Sequence, residues 1–439
     1  MSSLSAVING SPYAGYTYSY PHKSAYRTFD PPIPLQQAWA DEPRDSLFLY
    51  LHVPFCEYRC GFCNLFTMAN AEGGWVGRYL DQIRCEADAV GRILSDAKFA
   101  SVAIGGGTPT YLDEAGLSEL MATANLLLGE ESRVVPTSCE ASPATLTIGK
   151  ARLLRDWGVD RLSVGVQTFD DGEARSLGRP QTTLEIERAI DVVRQAGVPV
   201  LNLDLIYGSS EQSFDSWRRT VDSAIRHQPE EVYLYPLYVR ELTGLGRIGA
   251  APRDDRLAHY RAGRDALLAA GYEQVSMRMF RKPVPVAAAG PIYCCQSDGM
   301  VGLGCGARSY TRSLHYSSEF AVGRAGVRSI LEGYLVRSPE SFRYAHHGYR
   351  LCDGEQKRRY LLQGLLQSAG LSISAYEGRF GTRVGEDFPQ VASLQEAGLA
   401  RRDKDALQLT TAGLERSDAI GPWLYSPQVV DLMEAFECV

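Results

Sequence analysis

What the chain lacks narrows it first. No window comes near the roughly eighteen uninterrupted apolar residues that a membrane-spanning helix needs. The first stretch, "MSSLSAVINGSPYAGYTYSYPHKSAYRTFDPP", has no apolar core behind a basic start, as a secretory signal would. A cytoplasmic protein with no membrane partner is therefore expected. Cysteine is scarce, ten in 439 residues. That is too few for a disulfide scaffold, and in a reducing compartment clustered thiols more often hold metal. Long basic runs are missing and the net charge is −7, which argues against the broad positive footprint of a nucleic-acid binder. No internal repeat or low-complexity tract stands out. With 45% hydrophobic and 22% charged residues, the composition suits a globular chain with a large core and room for a second, smaller domain.

What is present is an alternation. From residue 47 to about 285, short apolar runs trade places with longer helical periods. The strand candidates are "LFLYLHV" (ending at 53), "FASVAI" (99–104), "VVPTSCE" (134–140), "DRLSVGV" (160–166), "PVLNLDLIY" (199–207) and "EVYLYPLYV" (231–239). Segments such as "WVGRYLDQIRCEADAVGRIL" and "TLEIERAIDVVRQAG" supply helices between them. Repeated βα units predict an α/β fold, a parallel sheet covered by helices that stays open or curls into a barrel. Polar and glycine signals fall at the strand ends: three cysteines after the first, "GGGTP" after the second, Glu140 on the third, Gln167 after the fourth, Asp204 and Tyr207 on the fifth. In a βα barrel those ends share one mouth, where active sites lie.

The flanks read differently. Residues 1–45 are expected to form an irregular arm able to lie across that mouth, 46–285 the barrel, and 286–340, with "GPIYCCQSDGMVGLGCGARSYTRSLHYSS", a glycine-rich lid or pocket wall. Residues 341–439 have the order helix, short helix, helix and β-hairpin, the layout of a winged-helix-like α+β domain, taken as a packing domain and not a DNA reader.

Only Cys56, Cys60 and Cys63 have ligand spacing; Cys85 and Cys139 read as buried small hydrophobes. Nothing beside Cys294, Cys295 or Cys305 in sequence predicts a lowered thiol pKa. Structural zinc wants four protein ligands, and His52 is the residue that would complete a Cys3His set. Three thiolates can instead hold three irons of a cubane and leave the fourth open. The spacing C-x3-C-x2-C, with Phe62 just before the last cysteine, resembles the signature of radical S-adenosylmethionine (radical SAM) enzymes. The resemblance implies a 4Fe-4S cluster whose open iron binds SAM and, once reduced, splits it to a 5′-deoxyadenosyl radical. Under that reading "GGGTP" lets the backbone approach the methionine part of SAM, Asp204 accepts from a ribose, and Glu140, Gln167 and Arg179 meet the amino-acid end.

The likeness tightens with "YLHVPFCEYRCGFC", "GGGTPTYL", "ASPATL" after Glu140, "RLSVGVQTFD", "LGR" at 177–179, "NLDLIYG" at 202–208, "LLAAGYEQ" and "GLGCGARSY". In order, these resemble the oxygen-independent coproporphyrinogen III oxidase family. That resemblance implies a partial (β/α)6 TIM-like barrel. It also implies Cys56, Cys60 and Cys63 as cluster ligands, and Tyr50, Phe62, Gly106, Gly107, Thr108, Glu140, Gln167, Arg179 and Asp204 as SAM contacts. The family includes porphyrinogen decarboxylases, a haem-carrying chaperone, and methyl- or cyclopropane-forming enzymes that use two SAM molecules.

Four departures bear on the choice. Leu65 stands where a decarboxylase often has a further cysteine, and "AGPIYCCQSDG" lacks the histidine of a haem carrier. Gln181 replaces a frequent histidine, and Ser209-Ser210 replaces Leu-Pro. Placed beside the pocket, these changes predict a C-methyltransferase or cyclopropane-forming enzyme acting on an unsaturated carbon of a specialised metabolite, with a second SAM as donor. Tyr207, Tyr235, Gln296 and Arg308 are the candidates for a second pocket, with Tyr50, Tyr207, Gln296 and Arg308 as catalytic candidates. The alternatives are an oxidative decarboxylase and a non-enzymatic haem chaperone. The expected partners are a small-molecule substrate and a reducing protein such as a flavodoxin or ferredoxin, with no nucleic acid.

Overall fold

The computed structural model describes residues 4–71, 74–129, 134–283 and 299–437. They form two compact units that do not follow the four expected segments. The larger is built chiefly from Arg27–Gly263 and the chain leading to Gly348; the smaller joins the residues up to Tyr26 with Arg264–Pro283 and Tyr349–Phe436. The N-terminal stretch is not one irregular arm. Val7, Tyr20 and Tyr26 pack into the apolar core of the smaller unit, whereas Arg27–Pro34 forms a strand (β1) of the larger.

In the larger unit six parallel strands lie side by side in chain order. They are β2 (Leu47–Val53), β3 (Phe99–Gly106), β4 (Thr137–Ala141), β5 (Val159–Gln167), β6 (Val200–Tyr207) and β7 (Glu231–Pro236). The helices between them are α1 (Trp75–Ile93), α2 (Glu114–Leu128), α3 (Ile148–Trp157), α4 (Thr183–Gln195) and α5 (Phe214–Arg226). Their starts are written locally: Asp113, Thr147, Thr182 and Ser213 each cap a helix with the side chain, and Thr182 with Glu185 forms a reciprocal capping box. Strand period two then sorts the side chains. Leu49, Leu51, Val102, Ile104, Leu162, Val164, Leu201, Leu203, Leu205, Val232 and Leu234 are buried, each contributing about 1.5–3 kcal/mol relative to exposure. Tyr50, Glu140, Arg161, Ser163, Asn202, Asp204 and Tyr233 alternate with them.

Beyond β2 the sheet continues through β8 (Met300–Leu303), β9 (Arg308–Tyr310), β10 (Leu314–Ser317) and β11 (Tyr344–Arg350) to β1. β8 runs parallel to β2, and the pairs β8–β9, β9–β10 and β11–β1 are antiparallel. The order is linear, so the barrel is a partial one. The "GLGCG" stretch is therefore not an irregular lid but the end of β8 and the turn that leads into β9. Its glycines mark close packing: a Cβ on Gly306 would stand 2.8 Å from Nε2 of His52.

The smaller unit contains α6 (Asp353–Leu365), β12 (Leu371–Ser372), α7 (Ile373–Phe380), α8 (Gln390–Glu396) and the hairpin β13 (Ala400–Asp403) and β14 (Ala406–Leu409). The three short strands make one antiparallel sheet, the expected winged-helix-like layout. Leu361, Leu365, Tyr376, Phe388, Leu394 and Leu407 fill its core. Among the described residues no helix is long and apolar enough to cross a membrane.

Candidate active site

Beyond β2 the chain turns at Pro54 into the cysteine loop, and backbone bonds fix that loop on both sides. Met68 donates to Pro54 O at 2.6 Å and Asn70 to Cys56 O at 3.0 Å, closing its far end. Gly61 donates to Leu177 O at 2.9 Å and accepts from Leu245 at 2.7 Å. The approach works only without side chains, since a Cβ on Gly178 would lie 2.8 Å from Gly61 N and one on Gly244 would lie 3.1 Å from Gly61 Cα. Gly178, at φ +63°, is the glycine of "LGR", so that motif seats the loop and then presents Arg179 to it.

Each sulfur has a polar neighbour from a different segment. Thr108 Oγ1 donates to Cys56 Sγ at 3.6 Å, Arg179 Nη1 donates to Cys60 Sγ at 3.2 Å, and Thr67 Oγ1 lies 4.0 Å from Cys63 Sγ. All three thiols are partly buried. Burial pushes Cys56 up to about 12, the other two thiols adding to the shift while Thr108 and Arg179 oppose it. It also raises Cys63, with Cys60 contributing. Such thiols give up their protons when a metal replaces them. The donor set fits a 4Fe-4S cluster with one open iron. His52 does not complete a zinc site: Nδ1 is hydrogen-bonded to Tyr50 Oη at 3.1 Å, and Nε2 lies 3.2 Å from Phe66 O. Among the described residues no three His, Cys, Asp or Glu side chains converge as ligands of a single ion. A cubane does not ask for that, because each thiolate takes its own iron.

"GGGTP" lies directly under the loop. Gly106 has φ +119° and no room for a Cβ, which would sit 2.7 Å from the His52 ring. On Gly107 a Cβ would meet Phe55 O at 2.6 Å and Cys56 Sγ at 2.9 Å. The amides expected to be open to SAM are engaged by the protein: Gly106 donates to Glu140 at 3.1 Å, Gly107 to Val53 O at 2.7 Å and Thr108 to Phe55 O at 2.8 Å. The motif's first task is thus to hold the cysteine loop.

The polar face carries a linked set of charges. Asp204 accepts from Asn202 Nδ2 at 2.8 Å and Ser163 Oγ at 3.2 Å. Burial raises its pKa against these bonds and against Arg161. Arg161 pairs with Glu231 at 2.6 Å, its guanidinium 5.9 Å from the Tyr233 ring. Glu140 is pushed up to about 7, first by its protein surroundings and then by the Asp204 charge, while the Gly106 amide and Arg161 pull the other way. Its side chain still reaches water. Tyr50 is raised by burial and by Glu140, with Arg308 opposing; the Arg308 guanidinium lies 5.7 Å from the Tyr310 ring. Gln167 adopts φ +68° where the β5–β6 register shifts, a left-handed conformation that costs a non-glycine residue about 1–3 kcal/mol. Phe62 packs with Tyr235 against Leu177, Ile206, Leu237 and Leu245.

Two of the candidates for a second pocket part from this picture. Tyr207 is fully buried, its ring centroid 5.7 Å from Trp217 and 5.9 Å from Tyr260. Asp204 and Ile206 share one side of β6, so Tyr207, an odd number of steps from Asp204, faces the other side. Gln296, like Cys294 and Cys295, lies outside the described residues, as does the stretch compared with the haem carrier's histidine motif. Tyr235 stays at the polar face, stacked on Tyr233 at 5.8 Å. Two departures argued to flank the pocket are interior: Gln181 is 2% exposed and Ser209 3% exposed. Leu65 is 47% exposed. Reasoning from the sequence missed Arg161, Ser163 and Asn202; period two back from Gly165 and Asp204 was the signal that points to them.

Comparison with known proteins bears on the family and the fold. The radical SAM superfamily model matches residues 50–224, and the HemN C-terminal domain model matches residues 355–415. A heme chaperone HemW of Bacillus subtilis is 26% identical over 375 residues, 83% of this chain and 95% of its own. An oxygen-independent coproporphyrinogen III oxidase of Pseudomonas aeruginosa is 28% identical over 399 residues, 84% of this chain and 83% of its own. The solved coproporphyrinogen III oxidase (HemN) of Escherichia coli superposes with a TM-score of 0.79 at 22% identity, covering 96% of this chain and 98% of that one; at that identity it shows the shared fold. Residues 50–224 thus carry a radical SAM domain. Residues 355–415 match the HemN C-terminal domain, and the chain is similar to proteins of the HemN/HemW type. The methyltransferase subtype finds no support among these relatives.

Proposed function

We propose that this radical SAM enzyme abstracts hydrogen from a carboxylate-bearing substrate in an oxidative decarboxylation of the coproporphyrinogen type. The observation that carries the reading is the three-thiol loop, each sulfur with its own polar neighbour, at the end of a partial barrel whose polar face holds Arg161 and Arg308. Coproporphyrinogen III oxidases among the relatives favour it over methyl transfer. The sequence argument for methyl transfer also weakens, because Gln181, Ser209 and Tyr207 are interior.

Cys56, Cys60 and Cys63 would hold the 4Fe-4S cluster, which with SAM supplies a 5′-deoxyadenosyl radical when reduced. Arg179 and the Gly106–Thr108 turn brace the cysteine loop on which the methionine end would sit. Asp204, held ready by Asn202 and Ser163, accepts from the ribose. Arg308 offers a cation to the substrate carboxylate near Tyr50, and Phe62 with Tyr235 keeps water from the reacting carbon. A flavodoxin- or ferredoxin-type protein supplies the one electron that splits SAM, and a separate one-electron acceptor takes the electron released when the substrate radical loses carbon dioxide to form the carbon–carbon double bond.

Anaerobic reconstitution should load about four irons per chain, and dithionite with SAM should release 5′-deoxyadenosine. With coproporphyrinogen III, carbon dioxide should appear without S-adenosylhomocysteine. S-adenosylhomocysteine formed in step with 5′-deoxyadenosine would instead establish methyl or methylene transfer. Haem binding with no SAM cleavage would establish the chaperone reading.

A further inference from the structure

Among the described residues, Cys60 is the cluster-loop sulfur that accepts a hydrogen bond from a cation. Arg179 is 8% exposed, and its three guanidinium nitrogens all have partners: Nη1 on Cys60 Sγ at 3.2 Å, Nη2 on Gly165 O at 2.7 Å, Nε on Gln181 Oε1 at 2.7 Å. The Tyr58 ring lies 5.9 Å away. Gln181 completes the brace by donating Nε2 to Val166 O. Its side chain is interior, and among the described residues its hydrogen bonds run to Arg179 and Val166, so it reaches the cysteine loop through Arg179.

We propose that Gln181 is a positioning residue that holds the Arg179 guanidinium on the Cys60 sulfur and thereby raises the cluster's reduction potential. The inference rests on the proposed function, which places the cluster there. One-electron reduction adds negative charge that is shared between irons and sulfurs. A fixed N–H donor and a full positive charge at one sulfur stabilise that added charge, and hydrogen bonds to sulfur are among the determinants of such potentials. The effect is large where water is excluded, because the local dielectric is low. Without Gln181, Nε loses its acceptor in a buried site, an arrangement that drives the guanidinium off its present line. A histidine can accept from Arg179 through one ring nitrogen and donate to Val166 O through the other, so it replaces both functions.

The test is a redox titration followed by electron paramagnetic resonance on reconstituted wild type, Gln181→Leu and Gln181→His, with iron counted in each. Gln181→Leu should hold the wild-type iron complement and titrate at a more negative midpoint, while Gln181→His should stay near wild type. An unchanged midpoint in iron-replete Gln181→Leu overturns the proposal. Should that variant not retain iron, Arg179→Lys takes its place. It keeps the charge but cannot reach the sulfur, Gly165 O and Gln181 together, so its midpoint should also fall, and an unchanged value overturns the proposal equally. Wild type that takes up no iron overturns the function itself; wild type that cleaves SAM while the variants keep its midpoint overturns only this inference.

Discussion

The seating of the cysteine loop can be tested by adding one methyl group. Ala at position 178 must hold φ near +63° and place its Cβ 2.8 Å from Gly61 N and 3.1 Å from Gly61 Cα. The left-handed conformation costs an L-residue about 1–2 kcal/mol. Forcing a methyl into a closed contact costs about 1–3 kcal/mol more, so Gly178→Ala should destabilise by about 2–5 kcal/mol in all. Gly197→Ala separates the two contributions, because Gly197 has φ +69° and nothing within 4 Å of an added Cβ. It should lose only the conformational part, and the difference between the variants measures the contact at Gly61. Urea unfolding of the iron-free chains, followed by fluorescence, gives the stabilities; iron content after reconstitution gives the consequence. Gly61 lies between Cys60 and Cys63, and Arg179 follows Gly178, so Gly178→Ala should also lose iron while Gly197→Ala keeps it. Equal stability and equal iron in the two variants would refute the account of the loop.

Three further outcomes follow from other parts of the structure. Tyr207→Ala should destabilise by about 3–5 kcal/mol, the usual range for truncating a buried aromatic, whereas Tyr207→Phe should leave 5′-deoxyadenosine formation near wild type; a large rate loss in Tyr207→Phe would return that residue to the pocket. Glu140 titrates near 7 in the folded protein, above its unfolded value, so folding favours its protonated form and the chain loses stability as pH rises towards and through 7. Glu140→Gln keeps an acceptor for the Gly106 amide without titrating, so the wild-type urea midpoint should fall relative to the variant's between pH 5 and pH 8, and a gap that does not vary with pH would contradict the assignment. In the smaller unit Arg278 and Asp418 form a buried two-bond pair, one bond at 2.9 Å; Asp418→Ala should cost about 3–5 kcal/mol by stranding the guanidinium, and a loss under 1 kcal/mol in thermal unfolding would show that water reaches it.

The sequence by itself determined the order of strands and helices, because period two and period 3.6 are properties of neighbouring residues. All six parallel strands fall where the apolar runs place them. It determined the three thiols as well, since ligand spacing within one loop is local. Tertiary structure decided what depends on distant segments. Arg161, Ser163 and Asn202 become site residues only when two neighbouring strands, β5 and β6, turn one side the same way, and Tyr207 leaves the site for the same reason, one step out of phase. The stretch 1–45 reads as one arm because nothing local divides it, yet residues before Tyr26 find apolar partners in the smaller unit and those after it find a strand edge in the larger. In one dimension the glycine of "LGR" is one letter of a motif and those of "GLGCG" belong to a glycine-rich lid or pocket wall. In three they are the only residues small enough where Gly61 and His52 come close, and that is a fact about the neighbour rather than about the glycine.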